Sequence, residues 1–569
     1  MISRINPRLE EDLFAACSRY DVESYTRTAV IASVLLTATI LTVLVAPLPA
    51  LLPHLPLHAA VAAAPLAFIG FLVLTAYLPK VMVGFRRADL DAELPFFLIY
   101  AATLATVLPP LQVFERLSNA PSYVFREAKR EGRRILVETR IVGRDPVAAA
   151  ELVARTNPHR YWRTVLEGYA TAVKSGSNPT DYLIKQAEVY LRKAAGELKA
   201  RAEAISSLMD ALVSVFAFAT ITLFSLSISG EALPTLAGRM LILNVPKELT
   251  AVAYTMPLLL AGMFLLLARS LQPRSLVGEY RQYVVIGPLI VVAVALSAVM
   301  TLAPLPSQLS SSLALLGRDY MVKPLLISLV LLASSIVASF VDTRWSRFYS
   351  SIREGLRQFV KDLAELRRTG VAPEQCISTL TSRDYGIFSK YVGLLDAEIK
   401  TSGSLEGFMK RLRREVRDWT TLCLMFTLIE SLEVGGGKPE VFDRFANYTD
   451  SLFVIESEKR SRMKILRTLP FATAVIQFFA ITSVLFIYDF ITTSLGRGSV
   501  ASSIGPIVFS VLVITNFIYG IIAGLLSEER LSAGFKYSAL LTVISIVMLV
   551  MGNEVVRGLI SLIGVSGVD

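Results

Sequence analysis

The chain has 569 residues, 53% of them hydrophobic and only 18% charged, and 57 Lys and Arg against 47 Asp and Glu give a formal net charge of +10. A soluble domain carries about a quarter charged residues, and the apolar residues here are gathered into long uncharged blocks, so the composition excludes a wholly soluble protein and points to a bilayer protein with large aqueous parts. Cys17, Cys376 and Cys423 form no C-x-x-C pair, which excludes a disulfide framework and a cysteine-based zinc site.

The first apolar block begins near Thr28, behind Glu10, Glu11, Asp12, Asp21 and Glu23. A cleavable signal has a short basic start and a small-residue cleavage site, so this helix is expected to remain as an anchor. A span needs about 20 apolar residues. Runs of that kind lie near 28–47, 58–78, 207–229, 249–271, 282–305, 322–341, 469–491, 503–526 and 537–560, predicting an all-α, polytopic membrane protein with about nine transmembrane helices and two duplicated cytoplasmic helical bundles. Lys and Arg are retained on the cytoplasmic side. They crowd into 79–205, 269–281, 342–467 and 528–536 and are sparse in the alternate connections, which predicts an internal N-terminus and an external C-terminus in the cell membrane.

The expected layout is a cytoplasmic segment over 1–27, spans over 28–78, a first bundle over 79–206 and spans over 207–271. A loop and two spans follow over 272–341, a second bundle over 342–467, spans over 468–526, and a loop, a last span and an external tail over 527–569. Both bundles read as helices, with apolar residues at three- and four-residue spacing, as in Leu183, Ala187, Tyr190 and Leu191. Each is long enough to bury a core of its own.

One stretch, 94–111, is apolar enough to be mistaken for a tenth span, but Pro95 and Pro109-Pro110 bound it. The two halves repeat at an offset of roughly 260 residues. The breaker around Gly176 and Pro179 corresponds to Gly435-Gly436-Gly437-Lys438-Pro439, and Pro109-Pro110 to Ala372-Pro373. The counterpart of the doubtful stretch is then 355–368, with Arg357, Lys361, Asp362, Glu365, Arg367 and Arg368. Such a sequence cannot cross a bilayer, so 94–111 is expected to be a core helix of the first bundle.

The basic surplus lies on the bundles: residues 80–205 carry 20 basic and 14 acidic side chains, and 343–466 carry 21 and 17. The densest runs hold Arg126, Lys129, Arg130, Arg133 and Arg134 in the first bundle, and Lys410, Arg411, Arg413, Arg414 and Arg417 in the second. They are candidates for docking an acidic partner, with a solvated helix face and an anionic membrane surface as the competing readings. The runs lack interleaved aromatics for base stacking, so no nucleic acid is expected.

Catalytic motifs are not readable. Gly435-Gly436-Gly437-Lys438 resembles a phosphate loop, but Leu432 replaces the first glycine and Pro439 the magnesium-binding hydroxyl, leaving a turn. His54 and His58 stand four apart with Pro56 between them and no acidic companion, which is poor for zinc. No cofactor, metal or enzymatic activity is expected. Gly520 and Gly524 permit close helix packing, within the chain or in a homodimer.

Taken together, the duplicated helical domain resembles the platform proteins of type II secretion, type IV pili and the archaellum, and its two full units resemble the archaeal branch. The resemblance rests on Glu93-Leu94-Pro95, Leu166-Glu167-Gly168-Tyr169 leading to Ser175-Gly176, Gly370-Val371-Ala372-Pro373, and Glu430 leading to the glycine triplet. It implies a non-enzymatic platform that docks a hexameric secretion ATPase in the cytoplasm and inserts pilin- or archaellin-like subunits into a filament. A duplicated transporter or channel is the alternative.

Overall fold

The computed structural model describes residues 9–16, 21–45, 57–194, 280–302, 319–401, 406–435, 438–463, 468–494, 500–528 and 530–562, with isolated positions between 196 and 266. Most of the expected spans at 207–229 and 249–271 lie outside the described residues, as do Cys17, His54, Gly436 and Gly437. The described residues are helical, without a strand. Helices α1 (Leu9–Ala15), α2 (Val22–Val45) and α3 (Leu57–Leu104) lead into the short helices α4 (Pro110–Asn119), α5 (Glu127–Arg140), α6 (Pro146–Arg155) and α7 (Arg160–Lys174), then α8 (179–194). After α9 (Tyr280–Leu302) the order recurs: α10 (Asp319–Arg368), α11 (Pro373–Leu380), α12 (Ser389–Thr401), α13 (Glu406–Glu415), α14 (Trp419–Gly435) and α15 (Pro439–Met463). Helices α16 (Thr468–Ser494), α17 (Val500–Glu528) and α18 (Gly534–Leu562) complete the described chain.

Among the described residues, five helices are long and apolar enough to cross a membrane: Phe68–Leu104, Met321–Arg368, Pro470–Thr492, Ile504–Glu528 and Gly534–Met551. They fall on five of the expected spans, while the expected first and fifth fall on α2 and α9. The chain is a multi-pass helical membrane protein. Helices α17 and α18 pack backbone to backbone: a Cβ on Gly520 would strike Ser538, and one on Gly524 would strike Gly534. The small-residue pair is used within the chain. Asn516 Nδ2 donates to Ser545 Oγ at 2.9 Å across the same contact, giving the buried amide N–H a partner.

Helix α3 does not break at Pro95, contrary to the sequence reading, but runs on for 48 residues, about 72 Å. Its surroundings change along the way. Ile69, Val73, Leu74, Tyr77, Leu78, Val81, Met82 and Phe85 are exposed, as lipid contact requires, whereas Leu90, Leu94 and Phe96 through Leu104 are buried in protein. The doubtful stretch is therefore a core helix, ending at Leu104 ahead of Pro109-Pro110. Helix α10 repeats the plan, exposing Ile336, Val337 and Phe340 before burying Ile352, Leu356, Phe359 and Leu363.

The expectation of two independent cores is overturned, because one apolar cluster runs through both bundles. Phe96 meets the Trp419 ring edge-on at 4.7 Å, Tyr100 stacks on Phe426 at 5.8 Å, and Trp419 Nε1 donates to the Val124 carbonyl at 2.9 Å. This seam explains the composition of α3. A helix enclosed on every side is apolar all round, and the 94–104 stretch has its own bundle on one side and α14 on the other. Its seam partner α14 is likewise buried without a break from Trp419 to Ile429, the polar Thr420, Thr421 and Thr427 included. By contrast α10, the counterpart of α3, keeps Glu354, Gln358, Lys361 and Glu365 in water.

Candidate docking surface

The first basic run occupies the start of α5, which no side chain of its own caps. Glu93, fully buried on α3, supplies the cap. Its carboxylate accepts the backbone N–H groups of Arg126 (2.9 Å), Glu127 (2.9 Å) and Ala128 (2.7 Å), satisfying three of the donors that a helix start leaves open. Beside it Arg86, only 4% exposed, donates to Glu127 Oε2 at 3.1 Å, to Glu131 and to the Ala15 carbonyl. The acidic residues of the run thus face inward. Burial raises the Glu131 carboxyl above its usual range despite Arg86 and Arg134.

The run's basic residues divide. Arg126, Arg130 and Arg133 are exposed, Arg126 reaching Asp89 on α3 at 3.2 Å. Lys129 and Arg134 are partly buried and hold the fold together. Lys129 Nζ donates to the Ala120 carbonyl, and burial, helped by Arg133, holds its pKa below the usual lysine value. Arg134 joins Glu131 (3.3 Å) and Thr156 Oγ1 (2.6 Å), with its guanidinium 5.5 Å from the Phe14 ring centre.

The second run lies on α13, which buries Phe408, Met409 and Leu412 and exposes Lys410, Arg411, Arg413 and Arg414; Arg417 beyond it is half-buried. Lys410 pairs with Glu406 at 2.8 Å. Arg413 lies over the Tyr123 ring at 4.2 Å, a cation–π contact between the bundles. Asp418, buried just ahead of α14, accepts from Arg353 Nε (3.0 Å), Thr421 N (3.0 Å) and Thr421 Oγ1 (2.6 Å). Burial pushes its carboxyl up, but Arg353 and Thr421 outweigh that and hold it below the usual carboxylate range.

The runs sit on helices that do not correspond in the repeat, since α5 matches α12 and α13 matches α6. Folding nevertheless brings both to Tyr123, three residues before Arg126. Sequence reasoning missed this convergence, and it also missed Arg116 Nη1 reaching Glu430 Oε2 across the seam at 3.0 Å. Burial raises the Glu430 carboxyl, and Arg116 offsets part of that. The turn residues behave as punctuation. Gly176 ends α7 at φ +71°, which favours glycine, Pro179 opens α8, Gly435 closes α14 and Pro439 opens α15. Gly168 leaves room for the Tyr182 hydroxyl, which donates to the Thr164 carbonyl at 3.1 Å.

Residues 96–226 match the family model of type II secretion system protein F. The match opens in the buried part of α3, takes in α4 to α8 and ends within the third expected span. No curated protein and no solved structure matches the chain.

Proposed function

We propose that this chain, whose residues 96–226 carry a type II secretion protein F domain, is the membrane platform of a type IV pilus-like filament or type II secretion machine. In this reading it docks a hexameric ATPase from the cytoplasm and couples the ATPase's motion to the insertion of pilin-like subunits. It is not an enzyme itself. The observation that carries the reading is the F domain built on α3, a single helix continuous from its lipid-facing segment into the bundle core. A helix without a break transmits rotation or displacement between its ends, and α10 supplies a second such strut of 50 residues. Joined at the seam, the two struts would move together.

The direct test is binding of the full-length chain in nanodiscs to the secretion ATPase of the same cell, together with filament formation after deletion of the gene. Saturable binding and loss of filaments or secreted protein are the expected results. Absence of both effects would contradict the platform reading.

A further inference from the structure

We infer that the basic shoulder around Tyr123 binds the anionic phospholipid headgroups of the surrounding bilayer. The reading depends on the chain being a membrane protein and not on which machine it serves.

Depth is the first argument. Phe85 is the last large side chain of the exposed apolar stripe of α3, and Arg126 is tied to Asp89, only four residues or about 6 Å of helix farther on. The headgroup layer on each side of the hydrocarbon is about 5–8 Å thick. Arg87, exposed on α3 itself, stands at the same level. The first basic run therefore lies at the end of the bundle nearest the membrane. The turn at Gly176 lies at the opposite end, where Thr180 Oγ1 donates to the carbonyl of Ala105.

Charge is the second. Glu93, Glu127 and Glu131 point inward and are buried, so the outer face presents Arg126, Arg130 and Arg133, and α13 brings Arg413 over Tyr123, with Arg414, also exposed, next to it in the chain. Helix α1, with Glu10 and Glu11 exposed, adjoins this face on its Arg134 flank, while on the Tyr123 side the acidic neighbour, Glu406, is paired with Lys410 at 2.8 Å, so the surplus there is basic. Arginine suits the task, because its planar fork of donors matches phosphate oxygens and its charge persists at any physiological pH. Arg133 makes no ion pair among the described residues and is available to a ligand.

The test uses the full-length chain with Cys17→Ser and a fluorophore on Ser122→Cys, an exposed position beside Tyr123. It is placed in phosphatidylcholine nanodiscs with a headgroup nitroxide quencher, with and without phosphatidylglycerol. Quenching should rise about twofold with the anionic lipid and fall back as salt screens the contact. Replacing Arg130, Arg133 and Arg414 with Gln should return quenching to the neutral-lipid level without moving the melting temperature. A label on Ser177→Cys should be indifferent to lipid charge. Equal quenching at Ser122→Cys in neutral and anionic discs, or a triple variant that behaves as the parent, would overturn the assignment.

Discussion

Arg116 on α4 and Glu430 on α14 face each other across the seam, Nη1 to Oε2 at 3.0 Å, with Glu433 a second partner at 3.6 Å. The pair forms a polar rim to an interface whose interior is aromatic: Phe96, Tyr100 and Phe125 from the first bundle against Trp419 and Phe426 from the second. Two units that sequence reading would separate share one apolar core.

A fragment of residues 84–201 should therefore self-associate. Each large apolar side chain uncovered costs about 1.5–3 kcal/mol of burial, and the fragment uncovers the seam face of α3. Co-expression with residues 342–467 should give a monodisperse heterodimer in gel filtration with light scattering. A monomeric, soluble first fragment would contradict the shared core.

The first basic run should separate into two classes on mutation. Arg130→Glu with Arg133→Glu should lower the melting temperature by no more than about a degree or two, because exposed charges contribute little and Glu127, which Arg130 contacts at 2.5 Å, keeps Arg86 and Arg126 as partners. Lys129→Glu with Arg134→Glu should lower it by several degrees, since these side chains satisfy Ala120, Glu131 and Thr156. Equal effects of the two pairs would mean that the run is a uniform solvated face.

Gly520→Leu and Gly524→Leu should each disrupt the α17–α18 contact. The added atoms meet backbone, not a flexible side-chain end, and overpacking typically costs about 1–3 kcal/mol. Thermal aggregation in detergent should shift to lower temperature for both. Variants as stable as the parent would place this contact outside the native packing.

Asp418 sets a pH dependence of known sign. Its folded pKa lies below the unfolded value of about 3.9. The stabilisation is thus complete above the unfolded pKa and is lost as pH falls through the folded one. Asp418→Asn should lower stability near pH 7 by about 2–3 kcal/mol, because Arg353 loses its buried partner. The variant should also flatten the acid limb of a melting-temperature profile. An unchanged acid limb would show that other carboxylates govern acid unfolding.

The helical class and the nature of the 94–104 stretch were legible in the sequence, the latter because its counterpart on α10 carries Lys361, Asp362 and Glu365. The seam was not. Apolar residues on every side look alike whether lipid or protein surrounds them, and α14, only 17 residues long yet buried from Trp419 to Ile429, was the unused signal. The division of the basic run was hidden for a different reason. Formal charge does not reveal that Glu127 and Glu131, four apart, turn inward to Arg86 and draw Arg134 with them. Pro95 misled because it looked like a helix breaker, whereas α3 carries it without interruption.

The platform account requires both bundles to face the cytoplasm, as the distribution of Lys and Arg predicts. The decisive measurement is labelling of single cysteines at Leu55, Ser177 and Gly498 with an impermeant thiol reagent, in a background lacking the native cysteines. Intact cells should label at Leu55 and Gly498 and leave Ser177 untouched until the membrane is opened. Labelling of Ser177 from outside would put the first bundle on the wrong side for any ATPase and contradict the account.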